Sequence, residues 1–434
     1  MKPLHDAVHG LAVSRRATGD ATEERLAGGE TPRQGGFCHP ESQEDASFGC
    51  RGHAGYTLVE TLVALVLVLL VAAAAMSVLG TAEAAFGAQS EAADLQQRLR
   101  AASLMLEHDL LAAGAGTYSG PRAGSLAYSF PPVFPCRVGF AAADPPGSSR
   151  TDTISIVHVP ATASQTRTAA VVARSSATLD VAILPGCPLG DAACGFRAGM
   201  MVVVFDERGA FEMFAVGTVA GATLTRRAGT FENEYAAGAV VAEVRTATFY
   251  TREDTAAGGL QLRRYDGDGS DLPLVDNLTR FEVEYMGEPA PPRVREPSED
   301  PREARTTYGP GPGVNPPVPE YPAGESCTFR LEGGAIVPRL AVLAEGPALV
   351  TLPPAAFTDG PWCPAVSFAT RFDADLLRIR NIRVTIGAQA ASPASRGTDS
   401  GWFLRPGTAL RADRMVPDHE VRIQVSPRNL SLGR

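Results

Sequence analysis

Lysine is almost absent from this 434-residue chain: Lys2 is the only one, and every other basic side chain is arginine. A fibre subunit joined covalently to its neighbours through lysine has nothing to use beyond residue 2. Positive charge as a whole is in deficit. Thirty-nine basic residues against 48 acidic ones leave a net charge of −9. No basic patch is interleaved with aromatics, which argues against a nucleic-acid partner. Metal-ligand spacing is also missing. Beyond residue 55 the histidines are His108, His158 and His419, none beside a second histidine or cysteine at ligand spacing, so each reads as structural. There is no nucleophile elbow, no phosphate-cradling glycine loop and no metalloprotease pattern. These absences point away from an enzyme and from a cofactor.

Charge is missing from one long run in particular. From Tyr56 to Gly80 the only charged residue is Glu60, and about 20 apolar residues suffice to cross a hydrocarbon core. A carboxylate near the start of such a run is costly unless it is paired or lies at the interface. Residues 1–55 are polar and without helical periodicity, which reads as a disordered leader. Arg51 on that side favours a cytoplasmic leader. The length of this leader is consistent either with an extended one or with a start codon downstream of Met1. An ordinary secretory signal is the competing reading, with small residues at 72–75 and 82–85 as cleavage candidates.

Helical patterning continues past the apolar run. Leu95, Leu99, Ala102, Leu106 and Leu110 recur at spacings of three and four, making one stripe. Charged Glu91, Arg98, Arg100, Glu107 and Asp109 fall largely elsewhere. No proline occurs from 56 to 120; Gly80 and Gly87 are soft points, and Gly114 to Gly116 ends the helix. The pattern predicts one helix over 56–113, with a membrane-spanning first half.

Residues 117–286 switch to short β-branched runs, and Asp206 to Gly209 between two of them reads as a hairpin turn. Phe281 to Tyr285 alternates apolar and acidic residues. Residues 287–326 hold about a third of the 34 prolines and read as a surface insertion or linker. Strands return over 327–434, at Leu376–Ile386 and Glu420–Val425. Arginines alternate with apolar residues in both, which predicts one face of a half-exposed sheet. The loop Asp266-Gly267-Asp268-Gly269-Ser270-Asp271 carries oxygens at alternate positions, a calcium-like spacing with Asp266, Asp268 and Ser270 as ligands. However, Asp271 stands where glycine belongs and Asn277 where a bidentate glutamate belongs, so a solvated turn is the plainer reading.

Of seven cysteines, Cys38 and Cys50 precede Gly55 and five follow, an odd count. Cys187 and Cys194 enclose a short loop with Pro188 and Gly190, suited to a local bridge. Cys327 and Cys363 border the segment after the Pro-rich stretch and form the second candidate pair, leaving Cys136 over.

Gly55, the aromatic Tyr56, and Glu60 as the fifth residue counted from Tyr56, all at the head of an apolar run, resemble the processing motif of type IV prepilins. The resemblance implies that a prepilin peptidase cuts after Gly55 and N-methylates Tyr56. The family usually has phenylalanine there. Glu60 then meets the new amine of a neighbouring subunit and sets register between packed helices. The plainer alternative is an interfacial residue of a simple anchor. Leu95 to Gly114, Leu262 to Tyr285 and the terminal Arg428-Asn429-Leu430 look like segments of PilW-type minor pilins. The implied fold is α+β and pilin-like: a long N-terminal helix packed on an antiparallel β-sheet domain. The implied role is initiation of pilus assembly and a place near the fibre tip. Its partners are other minor and major pilins, contacted through the leucine stripe and sheet edges, an inner-membrane assembly platform and a tip adhesin. The implied location is the inner membrane with the C-terminal domain in the periplasm, then the fibre at the cell surface. A J-type pseudopilin of type II secretion and a membrane-anchored binding module that does not polymerise are the alternatives.

Overall fold

The computed structural model describes residues 56–118, 124–136, 153–206, 208–254, 259–289, 329–338, 348–357, 362–364, 372–392, 396 and 416–431. The fold is α+β. One helix, α1 (Leu58–Ala112), is followed by strands. The first are β1 (Val133–Pro135) and β2 (Thr153–His158). Six more come next: β3 (Gln165–Arg167), β4 (Thr178–Asp180), β5 (Met201–Phe205), β6 (Phe211–Ala220), β7 (Thr223–Arg226) and β8 (Val240–Glu243). Then come β9 (Arg245–Asp254), β10 (Gly259–Tyr265) and β11 (Asp271–Gly287). The remainder are β12 (Phe329–Glu332), β13 (Ala335–Pro338), β14 (Val350–Leu352), β15 (Trp362–Cys363), β16 (Phe372–Asp373), β17 (Ile379–Ala388) and β18 (His419–Val425).

Two compact units divide the chain, residues 1–70 and 71–434. In the first, the described part is Tyr56, Thr57 and the start of α1, apolar apart from Glu60 and Thr61 and exposed throughout. In the second, an antiparallel main sheet runs β1-β2-β9-β10-β11-β17-β18, with β14 also on β11. Period-two alternation builds its apolar face in cross-strand rows. Phe281, Val283 and Tyr285 sit opposite Ile386, Val384 and Ile382, which in turn sit opposite Val421, Ile423 and Val425. Against this core lies the α1 stripe: Leu95, Leu99, Ala102, Leu106 and Leu110 are all buried. The helix runs unbroken through Gly80 and Gly87.

The strands of 117–286 do not form one sheet. β3-β8-β5-β6-β7-β4 form a second sheet, and it closes on itself. Thr168, just past β3, bridges Val181, just past β4, through Ala169 N–H to Asp180 O and Ala182 N–H to Arg167 O, each 2.8 Å. This makes a small barrel inserted between β2 and β9, with its own core of Leu179, Phe196, Val202, Val204, Phe214 and Phe231 among others. Strand alternation lets the barrel share walls with the main core. Val202 and Val204 of β5 point into the barrel, while Val203 and Phe205 join the main cluster. Phe211 of β6 stacks on Phe130 at 4.3 Å between ring centroids.

Two expectations need correction. Arg383 and Arg422 do lie on the polar face, Arg383 against Glu284. Arg378 and Arg380 do not: both are buried. Arg378 bonds Glu288 O and Asp375 Oδ1, and Arg380 pairs with the Glu288 carboxylate. Alternation with apolar neighbours cannot reveal a buried arginine whose partner lies 92 residues away. The leucine stripe, expected to meet other subunits, is instead spent on the chain's own sheet, where Leu106 and Leu110 are fully buried.

Candidate assembly and processing site

The apolar helix begins with a cap. Thr57 precedes Leu58, the first helical residue, and its Oγ1 accepts the Glu60 N–H at 3.3 Å; its carbonyl accepts the Thr61 N–H at 3.1 Å. Thr57-Leu58-Val59-Glu60 is thus the threonine-x-x-glutamate pattern of a capping box. Thr57 was missed as a feature of this site, although that spacing announces it. Glu60 sits in the first turn, where the partial positive charge of the helix start favours a carboxylate. Tyr56 is 80% exposed and Glu60 is exposed as well. The described site therefore presents an aromatic residue and an acid at the head of a helix whose first 23 residues, Leu58–Gly80, have mean hydropathy 3.0 and no buried side chain. Gly55 lies outside the described residues, as do the leader and residues 290–326 of the Pro-rich segment.

Further along α1, in the second unit, the helix is fixed to the sheet by charge as well as by leucine. Asp109 is buried, and its Oδ2 accepts from Arg264 Nε on β10 at 2.7 Å. His158 on β2 is close to this pair. Burial pushes its imidazole below the ordinary histidine value; Asp109 opposes this, while Arg245, His108 and Arg264 push the same way. Beyond α1, Gly114 adopts φ +80°, and a Cβ there would stand 2.9 Å from Pro132 Cγ and 3.1 Å from Asn429 Cβ. The Arg428-Asn429-Leu430 ending therefore packs where the helix stops: Leu430 is buried and Ser125 Oγ donates to Asn429 O.

Cys187 and Cys194 form a disulfide. Cys363 is also disulfide-bonded, and its candidate partner Cys327 lies outside the described residues. Cys136 is buried. The Asp266–Asp271 loop is a hairpin turn between β10 and β11. Asp266 Oδ1 accepts the N–H groups of Asp268, Gly269 and Ser270, while Asp268 pairs with Arg227. The proposed calcium oxygens of Asp266 and Asp268 are thus committed to backbone and to arginine. Among the described residues no cluster of histidine, cysteine and carboxylates suits a metal.

The barrel holds a buried acid that sequence alone could not distinguish. Glu212 on β6 accepts Glu232 N–H at 3.0 Å, Asn233 N–H at 2.8 Å and Tyr235 O–H at 3.3 Å. It also pairs with Arg226 at 2.9 Å, whose guanidinium lies over the rings of Phe214 and Phe231. Burial, then the charge of Glu212, pushes the Tyr235 hydroxyl well above the ordinary tyrosine value.

Residues 50–76 match the family model of the prokaryotic N-terminal methylation motif. That match takes in Gly55, Tyr56, Glu60 and most of the apolar run. It supports a type IV pilin-like protein. No curated protein matches the chain. The motif and the apolar helix together fit a membrane-anchored, single-pass pilin-like chain.

Proposed function

We propose that this chain is a minor pilin: a low-copy structural subunit that helps initiate fibre assembly and stays at or near the tip. The observation that carries the reading is the methylation motif at the head of a membrane-length helix. In this reading the leader lies in the cytoplasm and the β head in the periplasm. Prepilin peptidase cuts between Gly55 and Tyr56, and the methylated amine of one subunit meets Glu60 of the next. An inner-membrane platform then brings the chain together with other minor and major pilins, and the head emerges at the cell surface.

The tip position is favoured by the head itself. A subunit repeating along a fibre must pack against copies of itself in head-to-tail contacts. This head carries an inserted barrel in addition to its main sheet, and its sequence adds a Pro-rich segment, extra bulk that such a lattice would have to accommodate. At a tip nothing stacks above them.

N-terminal mass spectrometry of the protein from its own host tests the reading. The expected mature chain starts at a methylated Tyr56, and Gly55→Ala blocks or slows its appearance. A mature start beyond Ala72 marks ordinary signal-peptidase cleavage and removes the pilin reading. A processed chain that is the dominant component of sheared fibres removes the low-copy role.

A further inference from the structure

The inserted barrel hangs from one end of the β2–β9 ladder. His158 ends β2, Arg245 begins β9, and the two sit directly opposite each other. Directly opposed residues of an antiparallel pair share a face, with Cβ atoms about 4.5–5.5 Å apart. Here that face is the one turned toward α1. Ile154 and Ile156 of β2, with Ala247 and Phe249 of β9, lie on the same side and join the core that holds the leucine stripe. The chain just past α1 is bonded to β2 on both sides of His158. Gly114 N–H donates to Val157 O at 3.0 Å, and Val159 N–H donates to Ala115 O at 2.7 Å. Three elements therefore meet at one half-buried imidazole: the helix end, the sheet and the entry to the barrel.

Charge at this junction is one-sided. From α1 come Asp109, which is buried, and His108, whose side chain is 81% exposed and whose Nδ1 lies 3.4 Å from Asp109 Oδ1. From β9 comes Arg245, and from β10 comes Arg264, which already holds Asp109 Oδ2 at 2.7 Å. Two further acids close by in sequence are engaged elsewhere. Glu243 accepts from Thr162 Oγ1, and Asp266 spends its Oδ1 on the N–H groups of its own turn. With both histidines neutral, two arginines face a single carboxylate. Protonating the histidines adds two more cations and no anion, and the charge on His158 stands opposite Arg245. Like charges directly opposite each other on neighbouring strands are destabilising. In line with this, burial first, and then Arg245, His108 and Arg264, hold the His158 imidazole below the ordinary histidine value against the pull of Asp109.

We propose that this junction is an acid-triggered joint: protonation of His158 opens the His158–Arg245 end of the β2–β9 ladder, loosening the attachment of the barrel and of the α1 end while the rest of the main sheet stays closed. The opening is local because the repulsion acts at one end only. At the other end of the ladder Thr153 faces Tyr250, and no two cations are opposed. Ladder ends also open at a lower free energy than the core strands they flank. Acidification thus gives the barrel a freedom of orientation that it lacks at neutral pH. The device belongs to the β head, and it stands or falls separately from the processing of the N-terminus.

Hydrogen exchange of the full chain in detergent tests this, read peptide by peptide between about pH 7.5 and 5 and corrected for the intrinsic pH dependence of exchange. In the native chain, amides of residues 155–162 and 243–248 should lose protection about tenfold across this range, since one proton changes an opening equilibrium by at most about tenfold per pH unit. The β11–β17 ladder should keep its protection. His158→Gln should remove the loss at the joint. Arg245→Gln keeps the histidine and deletes the charge opposite it, so the loss should be smaller than in the native chain. If His158→Gln is already loose at neutral pH, the Arg245→Gln result decides. Protection at the joint that does not change with pH, a loss shared equally by the β11–β17 ladder, or an undiminished loss in Arg245→Gln each overturns the proposal.

Discussion

Replacing Glu212 by glutamine should loosen one specific segment of the barrel. The carboxylate is nearly dry, with 5% of its side chain exposed, and it faces several donors: the N–H groups of Glu232 and Asn233, the Tyr235 hydroxyl and the Arg226 guanidinium. A glutamine of the same size keeps one acceptor oxygen and turns an NH₂ group toward the remaining donors. It also strips Arg226 of its counter-charge between Phe214 and Phe231. Removing one partner of a buried ion pair costs about 3–5 kcal/mol. Arg226 keeps 13% of its side chain in solvent, so the lower end applies, about 3 kcal/mol. At about 1.4 kcal/mol per tenfold change, amides of Glu232 and Asn233 should exchange roughly a hundredfold faster. Hydrogen exchange of the full chain in detergent reads this directly, with the β10–β11 hairpin as an internal reference expected to stay unchanged. Arg226→Met should have a smaller effect on the same two amides, because Glu212 retains its other donors. Acceleration below about tenfold in Glu212→Gln would refute the claim that this carboxylate holds the 231–235 segment on β6.

Other expectations concern the second half of α1 and its surroundings. Leu106→Ala should cost about 2–5 kcal/mol by opening a cavity, whereas Leu104→Ala, at a position 66% exposed, should stay within about 0.5 kcal/mol; equal shifts in denaturation midpoint would contradict the packing described. His158 has its folded-state pKa lowered by burial, so the unfolded chain binds the proton first as pH falls below the ordinary value of 6.5. Stability is therefore full above about 6.5 and declines on acidification until the folded imidazole protonates too. His158→Gln should flatten part of this decline in a melting series between about pH 7 and 5. His419, lowered by burial in the same direction, keeps the remainder. A steeper decline in the variant would show that the neutral imidazole is not what the fold prefers.

What the sequence made legible follows from the range of the forces involved. The membrane-length run with Glu60 at its head and the stripe from Leu95 to Leu110 are local patterns, set by neighbours within a few turns. The stripe told which face is buried, and it could not tell against what. Asp109 reads as one more polar residue of α1 until Arg264 arrives beneath it from β10. Glu212 sits in an alternating strand where any acid would be placed outside, and its donors come from a connection some twenty residues on. The barrel was illegible for a related reason. Each of its strands carries an ordinary β pattern, but closure depends on β3 meeting β4 through the bridge at Thr168 and Val181, a fact of strand order that no single run contains.

The position of the barrel bears on the route by which the chain folds. His158 at the end of β2 pairs with Arg245 at the start of β9, so the main sheet receives the whole barrel as if it were a single turn. From an extended chain, joining β2 to β9 means closing a long loop, and the entropic cost of closure rises with the length closed. If the barrel forms first, its entry and exit are already side by side, and the same pairing becomes as local as a hairpin. Pairing across a short effective separation is also the faster kind. The inserted barrel thus acts as a splint for the sheet that surrounds it, and synthesis, which delivers residues 165–243 before β9, supplies the pieces in that order.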